Sequence, residues 1–275
     1  MKALLVIGLL FTVEAFAWGP TGHRAVGEIA TKFLEPSIRL KLQTLLKGDS
    51  LARVANWPDE IKSEPQTYSS TYNWHYTDWA DDAHDHDETA SSGKLIGSIN
   101  EQLKVLKDPT SPDDKKVFAI KFIVHLVGDL HMPLHVGNGT DIGGNACKVI
   151  FQGKATNLHA LWDEGMIDFT KLSFTELTHF ISQGKNVSQV QAWRKGDVID
   201  WARESKELRS QIYPDNVVAS PAPQSSRTYC RMDTPVLESE MPRLSYEYSY
   251  KFVPVVEQRL FQAGLRLAML LNQNM

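Results

Sequence analysis

His125-Leu-Val-Gly-Asp129-Leu-His131-Met-Pro133-Leu-His135 closes an apolar run that begins near Val117, and no other stretch limits the fold as tightly. A helix turns about 100° per residue, so His125 and Asp129, four apart, leave one face one turn apart and share a rigid support. Pro133 has no amide hydrogen and disfavours helical geometry at Met132. The helix is therefore predicted to end there, with His135 on the following turn and free to face a different ion. A lone histidine on an apolar helix is most often a hydrogen-bonded core residue. H-x3-D followed after five intervening residues by His135 is uncommon by chance on an aliphatic background, and its nitrogen and oxygen donors suit a metal. His131 lies between the two arms. A supporting or substrate-contacting role fits it about as well as ligation, so it stays outside the ligand set.

A chain of 275 residues, 42% hydrophobic and 23% charged, can bury a large core as one domain or two tightly joined ones. Its formal net charge of −4 supplies no broad basic surface. A nucleic-acid substrate would need something other than a lysine-rich face to hold phosphate, and zinc ions would serve. Lys2, the apolar run 3–13 and Ala15-Phe16-Ala17 have the three parts of a secretory signal peptide, residues 1–17, with cleavage before Trp18. The apolar run is too short to span a bilayer, and no later segment approaches ~20 uninterrupted apolar residues. No membrane anchor is expected, and the location is secreted or periplasmic. Export permits a disulfide, and the only two cysteines, Cys147 and Cys230, are expected to pair; two buried free thiols are the alternative. The sequons Asn138-Gly-Thr140 and Asn186-Val-Ser188 matter only in a eukaryotic secretory pathway.

Apolar residues at three- and four-residue spacing predict helices over 23–34, 37–47, 94–107, 113–130, 158–169, 174–183, 190–213 and 246–272. Pro36, Gly48, Asp108-Pro109 and Ser111-Pro112 punctuate them. Pro254 is expected to kink the last helix or delay its start. A strand pair is predicted around 147–151, with turns from Gly143-Gly144 and Gly153, and a proline- and serine-rich loop over 214–234. The acidic run 78–88 reads as a solvated loop, since its spacing matches no cation-binding loop.

Four further places offer donors: Trp18 to His23, Trp57-Pro-Asp59, Trp74-His75-Tyr76, and Asn157-Leu-His159-Ala-Leu-Trp-Asp163. The last repeats the helical logic, with His159 and Asp163 four apart. Two His-x3-Asp pairs plus His135, in a chain with nine histidines, are hard to reconcile with packing alone.

Taken in order, W-G-x-x-G-H, W-x-D, W-H-Y-x-D, H-x-x-G-D-x-x-x-P-L-H, G-G-N, N-L-H-x-x-W-D and Ala263-Gly-Leu-Arg-Leu-Ala268 resemble the zinc-dependent nucleases of the S1/P1 type over residues 18–275. The resemblance implies a mainly α, single-domain, multi-helix fold of the zinc phospholipase C/P1 nuclease kind with a short β-hairpin. It implies a secreted, monomeric endonuclease that cuts single-stranded DNA and RNA to 5′-nucleotides and also acts on 3′-nucleotides. Three zinc ions are implied. Asp59, His75, His125 and Asp129 would hold the first, and His23 with the freed amine and carbonyl of Trp18, bridged by Asp129, the second. His135, His159 and Asp163 would hold the third. Asp59 would also orient the attacking water, and Lys62 would stabilise negative charge developing on the phosphate, although the family often has Arg there. Tyr76 and Asp78 correspond to the base pocket, the ring stacking on an unpaired base and the carboxylate accepting from its edge. Asn145 would contact phosphate or water, or else serve as a turn residue. Two other readings remain: a zinc phospholipase C, and a secreted zinc-sequestering protein. Asp163 in place of Glu argues against the first, and ligands set among aromatic and aliphatic residues argue against the second.

Overall fold

The computed structural model describes residues 18–216 and 227–275, so the predicted signal peptide and part of the 214–234 loop lie outside the described residues. The central helix, Asp113–His131, is buried at every position from Phe122 to His131. A helix apolar all round has no solvent face and must run through the middle of the molecule. The N-terminal helix Pro20–Phe33 and the C-terminal helix Tyr246–Asn274 pack on it and, most extensively, on each other. Helices Pro36–Leu45, Leu95–Lys107 and Phe174–Ser182 stand close to where periodicity places them. None of the described helices is long and apolar enough to cross a membrane.

Three expectations are corrected in detail. The helix predicted over 190–213 is two, Val187–Trp193 and Val198–Ile212. Gly196 between them has φ +84°, which ordinary residues avoid, and Asp197 caps the second helix by accepting from the amides of Ile199 and Asp200. The segment 158–169 is helical but holds a π-helical turn, Leu161–Gly165, between two short α-helical pieces. Pro254 does not delay the last helix, which starts at Tyr246 and runs through it, because the carbonyl the proline leaves without a partner belongs to exposed Tyr250, where water can replace the amide.

The predicted strand pair is a hairpin, Lys148–Phe151 antiparallel to Lys154–Asn157, turned by Gln152 and Gly153, both at positive φ. Arg243–Leu244 adds a third, parallel strand that periodicity does not reveal. Cys147 and Cys230 form the expected disulfide.

A second ribbon matters more for the site. Thr77–Asp78 pairs in parallel with Val136–Gly137, which carries the segment 75–78 alongside His135. Buried Arg209 pins the ribbon, donating to the carbonyls of Val136, Gly137 and Trp79 and pairing with Asp81.

Candidate metal centre and substrate cleft

The central helix ends at His131; Met132 is extended, and Pro133–His135 form a 3-10 turn, as the proline dictates. His125 and Asp129 therefore point from one helical face, and His135 departs from it. Asp129 Oδ2 lies 3.2 Å from His75 Nδ1 and 3.4 Å from His125 Nε2. Asp59 Oδ1, from the short helix Trp57–Glu60, lies 3.8 and 3.7 Å from the same nitrogens. On the other side of the carboxylate, Asp129 Oδ1 is 3.3 Å from His23 Nε2. A separate group forms around the π-turn, where Asp163 stands 2.9 Å from His159 Nε2 and 3.5 Å from His135 Nε2.

Three imidazoles are aimed by backbone carbonyls. Nδ1 of His125, His135 and His159 lies 2.7, 2.6 and 2.7 Å from the carbonyl oxygens of Ala55, His75 and Gly143. A carbonyl only accepts, so each Nδ1 carries the proton and each Nε2 presents its lone pair to the cluster. Trp18 is fully buried beside these groups, and the Gly19 amide donates to the Asp163 carbonyl at 2.9 Å.

These donors fit a cation. Both oxygens of Asp129, both of Asp163, both nitrogens of His23, and Nε2 of His75 and of His135 are buried without a hydrogen-bond partner among the described residues. Buried polar atoms are ordinarily paired, and so many orphans in two clusters is the signature of ions the protein atoms alone do not replace. Burial holds His23 and His75 well below the usual imidazole range and His125 down to about 4, which keeps them neutral, the ligating form. Burial and then Asp59 push the Asp129 carboxyl well up. Burial also works to raise Asp163, but His159 and His135 outweigh it and hold the carboxyl down. The groups able to hold a metal among the described residues are His23/Asp59/His125, His75/His125/Asp129 and His135/His159/Asp163. A fourth, Asp141/Cys147/Cys230, offers no thiolate because its sulfurs are bonded to each other.

The clusters open on a cleft of about 490 Å³ lined by Lys62, His75, Tyr76, Asp78, His135, Asn145 and His159. Lys62 Nζ donates to Asp59 Oδ1 at 2.7 Å. Asn145 works as a turn brace, its amide and its Nδ2 both donating to the Ile142 carbonyl, which leaves its second Nδ2 hydrogen for the cleft. His131 does not reach this site. Its Nδ1 donates to the Val127 carbonyl, and its Nε2 accepts from Arg266, within a network of buried Arg259 and Arg266 with half-buried Glu204. The acidic run is a loop, as expected, although Trp79 is buried and His86 bonds to Thr77. Sequence reading passed over Ile142 and Ser92, both of which line the cleft. Ile142 is 60% exposed and holds φ +55°, a conformation that costs a β-branched residue about 1–3 kcal/mol and tends to cluster at functional sites. No helical or strand spacing marks either residue.

The family model for S1/P1 Nuclease matches residues 18–275. The chain belongs to the S1/P1 nuclease family. It is 32% identical to Endonuclease 3 of Arabidopsis thaliana over 94% of this chain and 89% of the relative. Its identity to Nuclease S1 of Aspergillus oryzae is also 32%, over 92% of this chain and 90% of that protein. Nuclease P1 of Penicillium citrinum is 29% identical over 70% of this chain and 80% of the relative. The mainly helical architecture with small sheets is consistent with that family.

Proposed function

We propose that this family member cleaves single-stranded DNA and RNA to 5′-nucleotides and removes phosphate from 3′-nucleotides, holding three zinc ions to do so. The observation that carries the reading is the pair of buried donor clusters, around Asp129 and around Asp163, whose carboxylate oxygens find no hydrogen-bond partner among the described residues and which open on one cleft beside Tyr76 and Asp78. Asp59, His75, His125 and Asp129 would hold one ion, and Asp129, His23 and the freed N-terminal residue Trp18 the second. His135, His159 and Asp163 would hold the third. When bound, zinc acidifies water and draws charge from phosphate oxygens. Lys62, held against Asp59, brings a cation to the phosphate, and Asp59 orients the attacking water. Tyr76 stacks on a base and Asp78 accepts from its edge, which demands an unstacked base and so favours single strands. Asn145 offers its remaining amide hydrogen to phosphate. The protein acts after export and removal of residues 1–17, as a single 18–275 nuclease domain and a monomer.

The test is metal content by emission spectroscopy, together with cleavage of single- and double-stranded DNA, RNA, a 3′-mononucleotide and dispersed lecithin. The expected result is three zinc ions and preference for denatured over duplex DNA. Hydrolysis of lecithin without cleavage of DNA would replace this reading with a phospholipase.

A further inference from the structure

Asp78 does not stand alone in the cleft. Its Oδ2 accepts both donors of Ser92, the amide at 3.2 Å and the hydroxyl at 2.6 Å, and among the described residues no hydrogen bond reaches Oδ1. The adjoining residues complete a clamp. Ser91 Oγ accepts the amides of Asp78 at 2.7 Å and Gly93 at 3.0 Å. Gly93 lies so near Tyr76 that a Cβ there would stand 2.0 Å from the Tyr76 carbonyl oxygen and 2.6 Å from ring Cδ2. Three consecutive loop residues thus fix the strand, the carboxylate and the aromatic ring.

The hydrogens can be counted. A serine hydroxyl carries one, and Ser92 spends it on Asp78, so towards the cleft that both residues line, Ser92 Oγ presents lone pairs only. Asp78 Oδ1 likewise only accepts. The base-facing edge is therefore a pair of acceptors. Guanine meets such a pair with two adjacent donors, N1–H and the N2 amino group. Adenine and cytosine offer one amino group beside a ring-nitrogen acceptor, and thymine and uracil one N3–H between two carbonyls that oppose the lone pairs.

The geometry points to Ser92 as a specificity-determining residue that, through Asp78, favours guanine over thymine or uracil at the nucleotide seated on Tyr76. This rests on the reading of Tyr76 and Asp78 as the base pocket. The experiment uses zinc-loaded enzyme and oligonucleotides identical except for G or T at the scissile position, comparing kcat and KM separately. Wild type is expected to favour G by about tenfold in kcat/KM, the scale of a well-placed base contact. In Ser92→Ala that ratio falls towards unity, mainly through KM for the G substrate, and Ser92→Thr, which keeps the hydroxyl, restores it. A Ser92→Ala ratio equal to that of wild type overturns the assignment while leaving the nuclease reading intact. Absence of cleavage of any single strand by zinc-loaded wild type would overturn the nuclease reading, and this inference with it.

Discussion

Asp129 Oδ1 and His23 Nε2 stand 3.3 Å apart, while the other oxygen of the same carboxylate faces His75 and His125. One side chain thus joins two groups of imidazoles. Asp129→Asn is expected to abolish cleavage and to lower bound zinc by more than one equivalent, since an amide nitrogen cannot ligate as the second oxygen does. Full zinc occupancy without activity would make Asp129 a proton carrier instead.

The proposed donors come from Trp18, His23, Asp59, His75, the 125–135 segment and the 159–163 turn, which are distant in sequence. An ion that ties such segments together binds the folded chain alone and stabilises it. Chelation should therefore lower the melting temperature along with activity. Calorimetry of zinc-free protein decides this, an unchanged transition showing that the helices pack without the ions.

The zinc-free protein should also lose stability in mild acid. His125 takes its proton only at about 4 when folded, against about 6.5 when unfolded, so the unfolded state binds more protons between these values and stability falls as pH drops through them. His23 and His75 act in the same sense. Buried His131 adds to them, while Asp129 and the half-buried Glu164 and Glu257, all raised by burial, oppose them; the four imidazoles prevail. A lower urea midpoint at pH 5 than at pH 7.5 is the expected result, and equal midpoints would mean the imidazoles are open to water.

Tyr76→Ala should weaken single-strand binding by about 1–3 kcal/mol, the usual worth of one stacked base, with little change in zinc content. An unchanged KM on oligonucleotides would remove Tyr76 from the substrate site.

Activity should require an N-terminus at Trp18. In a longer chain the Trp18 nitrogen is a planar amide without a free lone pair, whereas a terminal amine, with an ordinary pKa of about 7.7–8.0, can give up its proton to a metal. Protein carrying an extra Gly-Ser before Trp18 should bind less zinc and cut slowly. Full zinc stoichiometry and full rate in that form would leave His23 in need of another partner.

Much of this architecture is legible from spacing. The helices follow apolar periodicity, and the four-residue intervals from His125 to Asp129 and from His159 to Asp163 bring those side chains together. Spacing fails where contacts come from far along the chain. His131 is claimed by Arg266, 135 residues later, and the Thr77–Asp78 strand is two residues long, too short to carry a period. Ser92 is one hydroxyl in a loop, and only folding shows that it holds Asp78. The break at Gly196-Asp197 was written in local chemistry, a flexible residue followed by a capping acid, beneath a periodicity that runs straight through it.

The loop that clamps Asp78 and Tyr76 through Ser91, Ser92 and Gly93 supplies none of the proposed zinc donors. Reading of the base and cutting of the phosphate are therefore separable under mutation. Descendants of this sequence could drift in base preference by exchanging residues 91 and 92 while the proposed zinc ligands stay in place, whereas exchanges at Arg209, which pins the ribbon beneath both, would damage the two together. Directed evolution of altered specificity should accordingly start from the loop and leave the ribbon alone.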